Sequence, residues 1–275
     1  MLARNMPPFR YLVLWAFTVA AVVYILAPLV VVTLNSFSSV AYNVFPPEGY
    51  SLRWYKNLMS QDVFYAAALR SVVLALLATA LSLAIGVAAA YALVRYRPVG
   101  TEFLNAIFLS PLVLPKMVLG VAVFILVVRV GLYGNYISLL LTHVLVCVPF
   151  VIAVVTAALV GFDWTIQEAA FDLGAGPLRT FFKVILPQIW ISVFIAGLLS
   201  FVTSFDQVET TMFLTRPGQS TLPIEMFLYF QRWQDPTIAA LSSLLICFAA
   251  LLLVLFSIVT AKRKLPVFAP PNDKG

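Results

Sequence analysis

The stretch Glu168–Gly176, EAAFDLGAG, carries two acids and two glycines and lies between long apolar segments. Just before it, Thr165 and Glu168 have the spacing of a capping box, with Thr165 as the N-cap. Gly174 suits the left-handed position that ends a helix, and the proline that follows the stretch suits the start of the next helix. The pattern predicts a helix–turn–helix elbow across 163–186. From these residues alone the elbow is either a surface for a partner or an interfacial amphipathic linker.

Side chains that commonly catalyse reactions or hold metals are sparse. The sequence contains neither a G-x-x-x-x-G-K-[ST] phosphate loop nor an H-E-x-x-H zinc motif. His143 is the single histidine, and Cys147 and Cys247 both lie within apolar runs. We therefore expect no catalytic residue, no metal site and no cofactor bound by this chain, and we do not expect it to hydrolyse ATP through a phosphate loop.

Three charged residues fall within or beside apolar segments, where ionisable groups are candidates for function. Lys116 lies in SPLVLPKMVLG, directly after Pro115 and five residues after Pro111. Asp206 and Glu209 are three residues apart, a spacing that places both on one face of a helix. We expect these three residues on a translocation path, where the acids favour a polycation and the lysine favours an anion. The alternatives are a solvated helix end for the acids, and a pairing of Lys116 with either acid or with a partner subunit.

The composition places all these residues in a membrane protein. Hydrophobic residues make up 63% of the 275, charged residues 10%, and the mean hydropathy is +1.02. A spanning helix needs about 20 mostly apolar residues. We predict one all-α transmembrane domain over 1–275, with six spans at about 11–34, 68–94, 103–129, 134–160, 187–212 and 237–261. The second span repeats small residues every four positions, which predicts a closely packed face: Ala78, Ser82, Gly86 and Ala90.

The distribution of Lys and Arg predicts the orientation of these spans. Cytoplasmic loops carry the excess of basic residues, so the richer side is assigned to the cytoplasm. With six spans, both termini and the elbow share that side. Its basic residues are Arg4, Arg10, Arg95, Arg97, Arg179, Lys183, Lys262, Arg263, Lys264 and Lys274. The net charge of +6 is therefore attributed to topology and lipid headgroups, and no nucleic acid is expected as a partner.

The elbow resembles the EAA loop of the permease subunits of ABC importers. Glu168, Ala169 and Ala170 are followed after three residues by Gly174, and after nine more by Val184, one residue, Leu186 and Pro187. The family pattern is EAA-x3-G-x9-I-x-LP, from which only Val184 departs. The resemblance implies that the elbow is a coupling helix that docks into a cleft of the ATPase subunit. It also assigns ATPase coupling to the matching residues: Glu168, Ala169, Ala170, Gly174, Leu186 and Pro187.

Other stretches narrow the resemblance to permeases of the spermidine/putrescine type. They are FPPEGYSLRWY from Phe45, SFDQVETTMFL from Ser204 and TLPIEMF from Thr221. This resemblance implies a type I importer in a bacterial inner membrane, with a sister permease, two cytoplasmic ATPases that bind ATP and Mg²⁺, and a periplasmic substrate-binding protein. We expect a polyamine as the substrate. The alternatives are an amino acid derivative, an opine or another small organic solute, and, in a different class, a secondary transporter or a membrane-embedded enzyme.

Overall fold

The computed structural model describes residues 8–216 and 218–262, and within them the chain is helical, with one isolated antiparallel bridge between Ser38 and Tyr50. Its α-helices are α1 Pro8–Asn35, α2 Arg53–Met59, α3 Asp62–Arg95, α4 Thr101–Val113, α5 Lys116–Arg129, α6 Tyr136–Val160, α7 Thr165–Asp172, α8 Pro177–Thr180, α9 Leu186–Phe205, α10 Leu222–Arg232 and α11 Thr237–Lys262. Four of the basic residues used to predict the orientation lie outside the described residues, namely Arg4, Arg263, Lys264 and Lys274. The side chains of Arg10 and Lys262 also lie outside the described part of the chain.

Long apolar helices dominate because the backbone must bond to itself wherever water is excluded. Four helices of the described residues are long and apolar enough to cross a membrane, at Tyr11–Asn35, Asp62–Arg95, Tyr136–Val160 and Pro177–Phe205. The pair α4 and α5 adds a fifth if it is one broken span. In α11, the described residues supply a shorter apolar helix, Thr237–Leu251. The all-α membrane fold is thus confirmed, while the count of six spans stays a prediction.

The predicted span 103–129 is broken in the structure. Helix α4 ends at Val113, α5 begins at Lys116, and their axes differ by 105°. Proline has no N–H to donate and forces the residue before it into an extended conformation. Leu114 has φ −72° and ψ 138°, and Pro115 follows it as the N-cap of α5. Lys116 therefore stands at the first position of a helix and not in the middle of one.

Two compact units make up the chain: Val63–Leu228, and Met1–Asp62 together with Tyr229–Gly275. In the second of these, α11 packs against α1 and α2. The phenol of Tyr55 lies between the hydroxyl of Ser36 at 2.8 Å and that of Ser243 at 2.7 Å. The apolar window of α1 buries none of its residues, so this helix presents its surface to lipid or to another protein.

The core of the unit Val63–Leu228 is built around α6, half of whose apolar window is buried. Its valines and leucines pack against α3 and α9 in one cluster, and this cluster includes Val87, Val151, Val155, Leu159 and Ile189. The four small residues of α3 are all buried, as their spacing predicts. At Gly86 a Cβ atom would lie 2.6 Å from the Cβ of Val151, so only glycine allows this approach of α3 to α6.

We predict that Gly86→Val destabilises the chain by about 1–3 kcal/mol, because overpacking forces backbones apart. Thermal unfolding of the detergent-purified protein measures this. Gly161→Ala is the matched control, since its φ is −89° and a Cβ there meets only the carbonyl oxygen of Ala158, at 3.9 Å. Equal unfolding midpoints for the two variants would contradict the close α3–α6 contact.

Candidate functional sites: the elbow and the Lys116–Glu209 pair

The first half of the elbow is α7, and it ends as its glycine predicts. Gly174 has φ +78°, in the left-handed region. Its N–H donates to the carbonyl of Phe171 at 2.8 Å, and the N–H of Ala175 donates to the carbonyl of Ala170 at 3.0 Å. These two bonds form a Schellman motif, which satisfies the last carbonyls of the helix. The second alanine of the EAA triplet thus accepts one of the bonds that close the turn.

The start of α7 differs from the predicted capping box. Thr165 is the first residue of the helix, after Trp164. Asp163 Oδ1 accepts hydrogen bonds from the Thr165 N–H at 3.0 Å and from the Thr165 hydroxyl at 2.7 Å. The N-cap is Trp164, which makes no side-chain capping bond, and the carboxylate of Asp163 instead accepts the N–H of the first helical residue. Glu168 instead lies 3.6 Å from the guanidinium of Arg95.

The elbow is fixed to the end of α3 by contacts that the sequence did not predict. Buried Gln167 donates from Nε2 to the hydroxyl of Tyr91 at 2.8 Å. The ring of Tyr91 lies 5.2 Å from that of Phe181 and 6.2 Å from that of Trp164. The guanidinium of Arg95 lies 5.1 Å from the ring centroid of Trp164, within cation–π range. One face of α7 is thereby held against the protein.

The opposite face of the elbow is open. Glu168 and Ala169 are exposed, and Ala170 is half-buried. Leu173 is 89% exposed, which is unusual for leucine at a helix end. A Cβ at Gly174 would meet no atom within 4 Å, so the need for glycine here comes from its φ angle and not from neighbouring atoms of this chain. This face therefore exposes Ala169 and Leu173 beside the carboxylate of Glu168.

The second half of the elbow runs directly into α9, whereas the helix–turn–helix pattern predicted that it would be separate from the following span. Helix α8, a π-helical turn at Phe181–Ile185 and α9 follow without a break, and together they form an apolar helix of 29 residues. Pro187 lies in the first turn of α9, where its missing N–H and its ring disturb the bonding of the preceding turn. The π-helical turn absorbs this disturbance. Leu186 is half-buried and Pro187 is exposed.

The predicted helix face shared by Asp206 and Glu209 does not exist. Helix α9 ends at Phe205, earlier than the predicted end at 212, and Asp206 is its C-cap. The chain then turns back into the protein and forms a 3-10 helix at Thr211–Phe213. No glycine or proline marks this end, so the sequence carried no stop signal. Asp206 is exposed, and Glu209 is half-buried.

His143 holds this turn in place. Its ring is fully buried, with Nδ1 2.8 Å from the hydroxyl of Ser204 and Nε2 3.0 Å from that of Thr211. One nitrogen donates and the other accepts, because each hydroxyl can serve in either role. The histidine therefore ties α6 to both sides of the turn, and its role in this structure is to position the turn.

Of the three predicted path residues, the structure brings Lys116 and Glu209 together. Lys116 Nζ lies 4.0 Å from Glu209 Oε1, and the two side chains are 49% and 39% exposed. Glu209 Oε2 accepts from the Nε2 of Gln207 at 3.3 Å. The pair lies beyond the end of α9, about 30 Å from the start of that helix at 1.5 Å per residue for its 20 residues. The two candidate sites are thus at opposite ends of one helix.

The polar groups of both regions offer no cluster suited to a metal ion. Among the residues that the structure describes, no three His, Cys, Asp or Glu side chains come together. The elbow offers a contact surface, and the region around Lys116 and Glu209 offers one cationic and one anionic group beside a turn of the backbone.

We predict that His143→Leu destabilises the chain by about 2–4 kcal/mol, because it leaves two buried hydroxyls without a partner. The purified protein's thermal unfolding midpoint should fall accordingly. Thr156→Val is the control, since the Thr156 hydroxyl is buried without a hydrogen-bond partner and its loss should be neutral. An unchanged midpoint in the His143 variant would show that the turn does not depend on this bridge.

Comparison with known proteins identifies the family, although no family model matches the chain. It is 32% identical to the spermidine/putrescine transport system permease protein PotC of Haemophilus influenzae, over 92% of this chain and 98% of that protein. It is 31% identical to the putrescine transport system permease protein PotI of Escherichia coli K12, over 81% of this chain and 82% of PotI.

The fold also matches a solved permease. The structure aligns with a chain of a bacterial ABC transporter involved in the import of the acidic polysaccharide alginate, with a TM-score of 0.70, 15% identity, and coverage of 92% of this chain and 96% of that one. The sequence identities and this shared fold together lead to one conclusion: the chain belongs to the family of ABC-transporter permease subunits that includes the spermidine/putrescine permeases.

Proposed function

We propose that this chain is one of two permease subunits of an ATP-driven importer for polyamines. The observation that carries the proposal is the identity to spermidine/putrescine and putrescine permeases over most of the chain. Proteins with sequence identity of this extent share one architecture. We infer the substrate from the names of these relatives. The chain itself acts in transport and not as an enzyme.

The elbow supports the proposal because its geometry suits a mechanical joint. One face is anchored on α3 by Gln167 and Tyr91, and the other exposes Ala169 and Leu173. Its second half continues into α9, so a displacement of the elbow moves that helix as well. In our proposal a separate ATPase subunit docks on the open face, binds ATP and Mg²⁺, and drives the movement.

The proposed setting is the bacterial inner membrane, with both termini and the elbow in the cytoplasm. A sister permease completes the path, a second ATPase pairs with the first, and a periplasmic binding protein delivers the substrate. The extensive apolar exposure on α1 and α5 supports the membrane setting, because these surfaces need lipid or another permease around them.

Polyamines are flexible polycations, and carboxylates and aromatic rings are the groups that bind ammonium ions. Asp206 and Glu209 supply carboxylates near the end of α9. Phe201 and Phe205 stack within that helix, with ring centroids 6.0 Å apart. These groups support a polyamine path at the end of α9 remote from the elbow.

Lys116 favours a second candidate, in which the solute carries an anionic group as well. Its ammonium is half exposed beside Glu209, where it would repel a polycation and attract a carboxylate. An amino acid derivative, an opine or a similar small organic solute has both kinds of charge. We retain this class as the alternative substrate because one specific residue supports it.

A transport assay with the complete complex distinguishes these possibilities. We expect proteoliposomes that contain ATP to take up radiolabelled putrescine or spermidine when the binding protein is added outside. Without internal ATP the uptake should disappear. Uptake driven by an ion gradient alone would overturn the importer, and uptake of an amino acid derivative in place of polyamines would select the second candidate.

We predict that Gly174→Val uncouples transport while the chain still inserts, because a β-branched residue is strained at φ +78°. Uptake should fall about tenfold or more, with normal amounts of the chain in the membrane. Gly100→Val is the control. Gly100 has φ +81° with no atom within 4 Å of a Cβ, and thus carries the same strain outside the elbow. Equal loss of uptake in both variants would attribute the effect to strain and not to coupling.

A further inference from the structure

We propose that Glu209 binds an ammonium group of the substrate on the translocation path, and that Lys116 is its resident counter-ion. The arriving ammonium displaces the lysine from Glu209, and the lysine returns when the substrate leaves. This inference rests on the proposed importer function and names the carboxylate that binds the amine and the residue that competes with it.

The distance within the pair leaves both groups available. Lys116 Nζ and Glu209 Oε1 are 4.0 Å apart, whereas charged N–H···O hydrogen bonds are about 2.7–2.9 Å long. The two charges attract each other without a hydrogen bond, so the lone pairs of Oε1 remain free to accept one. Both side chains are partly exposed, and a small ammonium group can therefore reach the carboxylate directly.

Glu209 is the fixed member of the pair. Its Oε2 accepts from Gln207, whose own side chain is buried. Its backbone is pressed against α5, since a Cβ on Gly120 would lie 3.0 Å from the Glu209 carbonyl oxygen and 3.0 Å from the Thr210 Cα. This packing holds the backbone of Glu209 in place and thereby restricts the position of its carboxylate.

Lys116 is the movable member. It is the first residue of α5 and lies four residues before Gly120. Lys116 and Gly120 are therefore on the same face of α5, the face that packs on the turn. Its ammonium sits on a flexible four-carbon chain, with 49% of the side chain exposed. The lysine can swing away from Glu209 without a change in the backbone.

Such a competitor has a use in transport. A path must bind its substrate well enough to admit it and weakly enough to release it. A partly exposed ion pair is weak, so a hydrogen-bonded ammonium replaces it readily. Once displaced, Lys116 remains close by as a like charge, which shortens the stay of the bound amine.

Binding of radiolabelled putrescine to the purified permease–ATPase complex, without the binding protein, tests the exchange. Lys116→Met should tighten binding about two- to fivefold, because it removes a weak competitor. Glu209→Gln should weaken binding about tenfold or more. Removal of the lysine should tighten binding less in the Glu209→Gln background than in wild type, because no ion pair is left there to displace.

A variant outside the pair serves as the control. Lys56→Met removes an exposed positive charge on α2 and should leave binding unchanged. Recovery of the complex with its ATPase subunits reports whether each variant folds, and the conservative Glu209→Asp extends the test if Glu209→Gln does not assemble.

The outcomes separate this inference from the function on which it rests. If wild type imports polyamines but Lys116→Met binds putrescine as wild type does, the exchange is wrong and the importer stands. Weaker putrescine binding by Lys116→Met would show that the lysine supports the site and does not compete with the amine, and this also overturns the exchange. If the wild-type complex imports no polyamine at all, the proposed function itself fails.

Discussion

Backbone polar groups in an apolar surrounding must be hydrogen-bonded within the protein, and the rest of this structure depends on that constraint. It makes the long segments helical, and it allows a helix to break only where other parts of the chain satisfy the freed groups. The chain breaks between α4 and α5 and again after α9. These two breaks in the helices are brought together where Lys116 lies beside Glu209. The irregular backbone of these two breaks thus lies beside charged side chains.

Small residues and one histidine make this meeting possible. Gly120 lets α5 touch the backbone of the turn, and Gly86 lets α3 approach α6. From within α6, His143 bonds to hydroxyls on both sides of the turn. Each contact would be lost with a larger or less polar side chain, which explains why a largely apolar core contains these residues.

The continuous helix from Pro177 to Phe205 connects the two regions. At one end it forms the second half of the elbow, and at the other it leads into the turn that carries Glu209. The π-helical turn at Phe181–Ile185 keeps the helix unbroken despite Pro187. A displacement of the elbow therefore has a direct route through this helix to the charged pair, which fits the importer that we propose.

The sequence by itself determined the features that depend on local chemistry. The length of the apolar segments predicted the membrane helices, and the tolerance of glycine for the left-handed conformation predicted the turn at Gly174. The spacing of residues from Glu168 to Pro187 indicated the family. Tertiary structure alone decided the rest. The end of α9 has no local stop signal, Asp163 bonds to Thr165 in place of the predicted capping box, and Gln167 bonds to a tyrosine 76 residues away. Lys116 pairs with Glu209 and not Asp206 because a buried histidine and a glycine contact fix the turn, and such long-range contacts leave no pattern in a single sequence.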